Sequence, residues 1–146
     1  MSTQARPRRS VLYMPGANVR ALEKAKTIAA DALILDLEDA VAPDAKATAR
    51  DNVVKALAEG GYGKREIFIR MNSLDSAWGQ ADAVAIAKSK ADAILIPKVE
   101  SASHVHQVEA ILEQHGAPDS LRIWCMMETP RGILRAEEIA GASKRL

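Results

Sequence analysis

The sequence predicts a parallel α/β fold, and three observations carry that prediction. Short apolar runs alternate five times with segments of helical periodicity, always strand first. The runs are apolar throughout, as in Leu33-Ile34-Leu35 and Ala93-Ile94-Leu95-Ile96, so both faces of each strand must be covered. Aromatic residues make up only 3% of the chain, so the core must be built from Ala, Ile, Leu and Val, which suits close helix–strand packing.

The elements follow in order. Ser10 to Met14 form the first strand, closed by the turn signal Pro15-Gly16. Asn18 caps a first helix that runs through about Ala30, with Leu22, Ala25 and Ala29 near helical spacing. Ala32 to Leu37 are the second strand. Pro43, with Asp44 beside it, opens the second helix, which ends at Glu59 before Gly60-Gly61-Tyr62-Gly63. Glu66 to Arg70 are the third strand and Trp78 to Lys90 the third helix. Ala93 to Pro97 form the fourth strand, and Ser101 or Ser103 caps a fourth helix to about His115. Leu121 to Met127 are the fifth strand, and Pro130 starts a fifth helix to about Ala140. A closed eight-stranded barrel needs about 250 residues. Two architectures therefore fit the residues: a small doubly wound sheet, or the N-terminal part of a barrel. The first βα turn has no G-x-G-x-x-G, so a dinucleotide site has no support.

Composition bounds the function. The 146 residues allow one ordinary domain, here residues 10–146 behind a basic tail, residues 1–9. The tail has no apolar segment behind it and does not read as a secretory signal. A net charge of +1 gives no case for nucleic acid, and no window approaches a membrane span. The single cysteine, Cys125, excludes an internal disulfide and suits a reducing, cytoplasmic setting.

Ligands of parallel α/β proteins gather at the carboxyl ends of the strands. Those ends carry Tyr13-Met14-Pro15, Glu38-Asp39, Arg70-Met71-Asn72, Lys98-Val99-Glu100 and Glu128-Thr129. So many charges on one rim must be paired, bound to metal or used on a charged ligand. Asp36 and Glu38 alternate on one strand and point the same way, with Leu37 opposite. Arg70 offers a planar fork for a carboxylate, either a ligand's or that of Glu38 or Asp39. Glu128 suits Mg²⁺, which takes one or two carboxylates plus substrate oxygens and water. Lys98 reads better as a structural or ligand-orienting group than as a Schiff-base lysine. Arg20 and Lys24 share a helix face, where they hold phosphates or form a solvated basic surface. His104 and His106 are two apart and do not share a helical face.

Five motifs together resemble a known family. Ser10-Val-Leu-Tyr-Met-Pro-Gly16, Leu35-Asp-Leu-Glu-Asp-Ala-Val41 with Lys46 and Arg50 beyond it, Ile69-Arg-Met-Asn72, Ile96-Pro-Lys-Val-Glu100 and Met127-Glu-Thr129 look like the citrate lyase β-subunit-like branch of the HpcH/HpaI aldolase superfamily. The resemblance implies a (β/α)₈ TIM-type barrel, of which about five βα units are present. It also implies Mg²⁺ dependence and retro-Claisen cleavage of a 3-hydroxyacyl-CoA thioester of the malyl-CoA, citramalyl-CoA or citryl-CoA type. Some members of the family are instead malyl-CoA thioesterases. By the family pattern, Glu128 is the first metal carboxylate and Arg70 binds the substrate's carboxylate or carbonyl end. Tyr13, Arg20 and Lys24 line the CoA or substrate site, and Glu38 and Asp39 orient Arg70 and the metal's waters. A second metal carboxylate, three further strands and a lid would follow Leu146, so a truncated form is expected. That form is either still enzymatic or a catalytically inactive interaction subunit. Full-length members form trimers or hexamers.

Overall fold

The computed structural model describes residues 6–146, so the first half of the basic tail, residues 1–5, lies outside the described residues. Five parallel strands form one sheet in strict sequence order, with β1 (Val11–Pro15), β2 (Ala32–Asp36), β3 (Glu66–Arg70), β4 (Ala93–Ile96) and β5 (Arg122–Cys125). Between them run α1 (Val19–Ala25), a 3₁₀ turn (Pro43–Ala45) leading into α2 (Lys46–Glu59), α3 (Gly79–Ala87) and α4 (Ala102–Gln114). The short helices α5 (Pro130–Leu134) and α6 (Ala136–Ala140) follow β5.

Strand order decides between the two architectures. A doubly wound sheet reverses direction and places helices on both faces. Here each strand pairs with its successor, and crossovers of one hand then put every helix on the same side. The packing agrees. Leu33, Leu35, Ile67, Ile69, Ile94 and Ile96 face one core shared with the helices. The opposite face holds a smaller cluster made of strand residues and Met126 just beyond β5: Ala32, Ile34, Phe68, Ala93 and Leu95, flanked by Trp124. This is a partial barrel, with helices outside and a concave inner face. The curvature is strong enough that Tyr13 on the β1 edge donates to Met126 Sδ, beyond the opposite edge, at 3.7 Å.

Several element boundaries differ from the sequence expectation: α3 ends at Ala87 rather than Lys90, a 3₁₀ turn precedes α2, and three further differences stand out. Helix α1 stops at Ala25, because Lys26, Thr27 and Ile28 donate three residues back and the Thr27 hydroxyl takes the Lys24 carbonyl. Strand β5 spans only Arg122–Cys125 of the seven residues expected. The fifth helix is two short ones, broken at Arg135, whose φ of −109° lies off the helical value. Asn18 does cap α1, its side chain accepting from Ala21 N–H at 3.0 Å, and Gly60 ends α2 at a φ of 75° that favours glycine.

At the N-terminal end of the sheet the tail is docked. Arg8 forms a bidentate pair with Glu66 at 2.6 and 2.8 Å and stacks over Trp124, and Arg9 pairs with Asp31. Hydrogen bonds from Arg9 and Ser10 pull the Asp31 carboxyl down to about 2. Among the described residues no helix is long and apolar enough to cross a membrane.

Candidate active site

Asp36 closes β2, Arg70 closes β3, and the two are partners in the parallel register. Arg70 Nε and Nη2 donate to the two Asp36 oxygens at 2.7 and 2.6 Å, a fork-on-fork pair. Asp36 is wholly buried, and its remaining acceptor capacity is taken by the Glu38 and Ala40 amides at 2.9 and 3.0 Å. Burial alone would push the Asp36 carboxyl up. The bonds from Arg70 and the two amides outweigh it and hold the group below the usual carboxylate range. Burial likewise opposes the charge of Arg70, but Asp36 and Glu38 overcome it and keep the guanidinium firmly protonated.

The third nitrogen of the fork faces the rim. Arg70 Nη1 lies 3.0 Å from Glu38 Oε2 and 3.7 Å from Asp39 Oδ2. Tyr13 stacks on the guanidinium with its ring centre 4.9 Å away. Burial raises the Tyr13 phenol; Arg70 works against that rise, while Asp36, Glu128 and Glu38 add to it. The other Glu38 oxygen accepts from Lys98 Nζ, which is also 3.6 Å from Asp39. Glu38 is buried, yet its Oε2 accepts no hydrogen bond, because the Arg70 contact is close but poorly directed. Lys98 has a φ of 49°, the one non-glycine in the left-handed region among the described residues, and its N–H donates to Glu128 Oε1 at 2.8 Å.

A buried layer beneath fixes the β2–α2 loop. Lys46 Nζ donates to the Leu37 and Glu38 carbonyls at 2.9 and 2.6 Å. Burial lowers the Lys46 amine, and the surrounding carboxylates, Asp36 first, oppose that. Asn72 donates to Leu37 O at 2.9 Å and to buried Asp82 at 2.6 Å, and Asp82 also receives Arg50 at 2.9 Å. Backbone carbonyls carrying this many donors leave little freedom to the acids they support.

The structure thus gathers Tyr13, Glu38, Asp39, Arg70 and Glu128 on one rim. It does not bring Arg20 and Lys24 into that network. Both are exposed on α1, and among the described residues neither makes an ion pair or a side-chain hydrogen bond. Arg70 makes the expected ion pairs with Glu38 and Asp39, and Asp36 adds a third, closer partner. Lys98 links Glu38, Asp39 and Glu128, and Lys46 anchors the loop, so both count for more than the motifs alone suggested. The signal for Asp36 was the matched lead-in, Leu33-Ile34-Leu35 before Asp36 and Ile67-Phe68-Ile69 before Arg70.

The donor set is all oxygen, as Mg²⁺ prefers. Glu128 is exposed and commits one oxygen to Lys98 N–H, leaving the other for a metal. Among the described residues no three His, Cys, Asp or Glu side chains form a ready metal cage. The residues present fit a hydrated Mg²⁺ held through Glu128, with water and substrate supplying the other oxygens. A groove of about 720 Å³ lies elsewhere, along the β5 edge between Ile123, Cys125, Met127 and Ile139. Burial there pushes the Cys125 thiol up to about 11, so it is no nucleophile.

Known proteins resemble this chain in sequence and fold. The profile of the HpcH/HpaI aldolase/citrate lyase family matches residues 9–146. A (3S)-malyl-CoA thioesterase of Cereibacter sphaeroides (strain ATCC 17025 / ATH 2.4.3) is 53% identical over 140 residues, covering 96% of this chain and 47% of that protein. The citrate lyase subunit beta of Escherichia coli (strain K12) is 42% identical over 148 residues, covering 98% of this chain and 49% of that protein. A solved citrate lyase beta subunit from M. tuberculosis, complexed with oxaloacetate and magnesium, superposes with a TM-score of 0.73 at 31% identity, covering 93% of this chain and 56% of the other. The chain therefore spans about half the length of the curated relatives it matches.

Proposed function

The chain belongs to the HpcH/HpaI aldolase/citrate lyase family, and from that premise we propose that it carries the first half of an Mg²⁺-dependent site that cleaves a carbon–carbon bond in a 3-hydroxyacyl-CoA thioester of the malyl-CoA, citramalyl-CoA or citryl-CoA type. The observation that carries this reading is the Asp36–Arg70 fork, locked at a strand end with one guanidinium nitrogen toward the rim that also holds Glu128. In a retro-Claisen cleavage the hydroxyl gives its proton to a base such as water, its carbon becomes a carbonyl, and the carbon–carbon electron pair leaves with the thioester fragment as an enolate, which then takes up a proton at carbon. Arg70 binds the carboxylate or carbonyl end of the substrate and stabilises the alkoxide charge that precedes bond cleavage. Asp36 holds the fork still, so that no reorganisation is needed at the moment of reaction. Glu38 and Asp39 set the charge around Arg70 and keep it oriented. Tyr13 covers the guanidinium from the open side and excludes water from it. Arg20 and Lys24, exposed on the helix after β1, lie free for CoA phosphates. Mg²⁺ bound at Glu128 would supply Lewis-acid stabilisation of the enolate oxygen.

A second reading is thioester hydrolysis, favoured by the 53% identity to a malyl-CoA thioesterase. A third is a non-catalytic interaction subunit. Incubating the purified chain with malyl-CoA or citramalyl-CoA and Mg²⁺ separates the three. The lyase gives a shorter acyl-CoA and a keto acid; the thioesterase gives free CoA with the carbon skeleton intact. Neither product, together with no Mg²⁺ binding, supports the third reading. Arg70→Lys loses the bidentate fork and is expected to lower any turnover by at least about a hundredfold. Undiminished turnover would remove Arg70 from the role given to it.

A further inference from the structure

One residue touches Glu38, Asp39 and Glu128, the rim carboxylates around the Asp36–Arg70 pair, while Glu100 pairs with Arg131. Lys98 holds Glu128 through its backbone N–H, and Glu38 and Asp39 through its ammonium. The charges on the rim do not balance without it. Asp36, Glu38, Asp39 and Glu128 are four acids against the single cation Arg70, while the Lys46 ammonium is spent on two carbonyls. Even with Lys98 in place, two cations face four acids, so the cluster still has room for positive charge.

The three contacts also differ in how easily they break. The Lys98 side chain is 52% exposed, whereas that of Glu38 is 9% exposed and pinned by Arg70. A lysine ammonium is a hydrated point charge on a flexible stem, and it can return to water at small cost. The Lys98 backbone cannot follow so readily, since its left-handed conformation is fixed by the N–H bond to Glu128. Backbone and ammonium therefore have separate roles: the first aims Glu128, the second fills a charge deficit.

We propose that the Lys98 ammonium is a resident counter-cation of this rim, which neutralises Glu38 and Asp39 while no divalent ion is bound and swings into solvent when Mg²⁺ is held at Glu128. The proposal rests on the Mg²⁺ role given above and deepens it. Lys98 acts as a positioning residue that tunes metal affinity, and the fork and the acids stay where they are through the exchange. Like charges close together in a partly desolvated site repel, so the two cations exclude each other.

The test has two readouts that do not depend on turnover. The first is acetylation of the folded chain by an amine-reactive ester, followed by mass spectrometry at Lys98, with exposed Lys88 and Lys90 as internal references. Mg²⁺ should raise the Lys98 rate by roughly threefold or more and leave the references unchanged. The second is Mn²⁺ binding, read by electron paramagnetic resonance, to the wild type, Lys98→Gln and Lys98→Arg. Lys98→Gln should bind on the order of tenfold more tightly, and Lys98→Arg should match the wild type within about twofold. A Lys98 rate indifferent to Mg²⁺, or equal or weaker Mn²⁺ binding by Lys98→Gln, overturns the proposal. If Lys98→Gln does not fold, the acetylation readout on the wild type decides alone. Thioester turnover with an Mg²⁺-indifferent Lys98 overturns the counter-cation and leaves the enzymatic reading intact. An Mg²⁺-responsive Lys98 without turnover does the reverse, and no metal binding by any of the three overturns both.

Discussion

Asp36 is a residue whose importance lies in what it saturates. It is an acid with no exposed surface, and it accepts four hydrogen bonds, two of them from a buried guanidinium. Removing one partner of such a pair leaves the other charged and desolvated, which costs about 3–5 kcal/mol. Asp36→Ala should lower the unfolding free energy by that amount, read as a lower urea midpoint with little change in the slope. The pH dependence has a definite sign. The folded carboxyl lies below its unfolded value of about 3.9, so its contribution is complete above that pH and fades as the pH falls through the folded value. Urea midpoints measured downward from neutral pH should therefore fall more steeply for the wild type than for Asp36→Asn, and parallel curves would contradict this. Arg70, Glu38 and Glu128 were legible in the sequence because an apolar run that ends in a charge marks a strand end. That Arg70's closest partner is Asp36 was not, since it depends on the register between two strands about thirty residues apart, and period-two alternation leaves slips of two open.

At the scale of elements, strands were easier to read than helix ends. Apolar runs such as Ile67-Phe68-Ile69 locate a strand by burial, but a helix boundary turns on single side-chain bonds. Thr27, whose hydroxyl takes a carbonyl of its own helix, is enough to shorten α1. The segment after Glu128 shows the same dependence. Thr129 caps α5 by accepting from Gly132 N–H at 3.0 Å, and a Cβ on Gly132 would sit 2.3 Å from the Val99 carbonyl. The helix thus lies directly on the loop that presents Lys98. Gly132→Ala must push α5 off that loop and should cost about 1–3 kcal/mol, whereas Thr129→Ala should cost about 1 kcal/mol. Thermal melts of the two variants test the ranking. Because the displaced helix follows Glu128 directly, Gly132→Ala should also weaken Mn²⁺ binding, and Thr129→Ala should do so less.

The whole molecule is a chain of neighbours, in which β2, β3 and β4 are paired on both sides and β1 and β5 on one. The fork sits on the doubly paired strands, while Tyr13 and Glu128 come from the edge strand β1 and from just beyond β5. Amide hydrogen exchange should accordingly be slowest in β3 and fastest at the two edges, in a gradient that follows strand order. The sequence showed five βα units but not their arrangement, because one-sided and two-sided helix placement use the same alternation. The contact between Tyr13 and Met126 has a mechanical consequence for this gradient. It joins the two ends of an arc that no backbone bond among the described strands connects, in the way a string holds a drawn bow. The two edges meet there through one hydroxyl and one thioether, with Arg70 against both side chains. Tyr13→Phe, which keeps the ring on Arg70 and removes the hydroxyl, should speed exchange in β5 as well as in β1. The stiffness of the concave face thus rests in part on two side chains 113 positions apart in the chain.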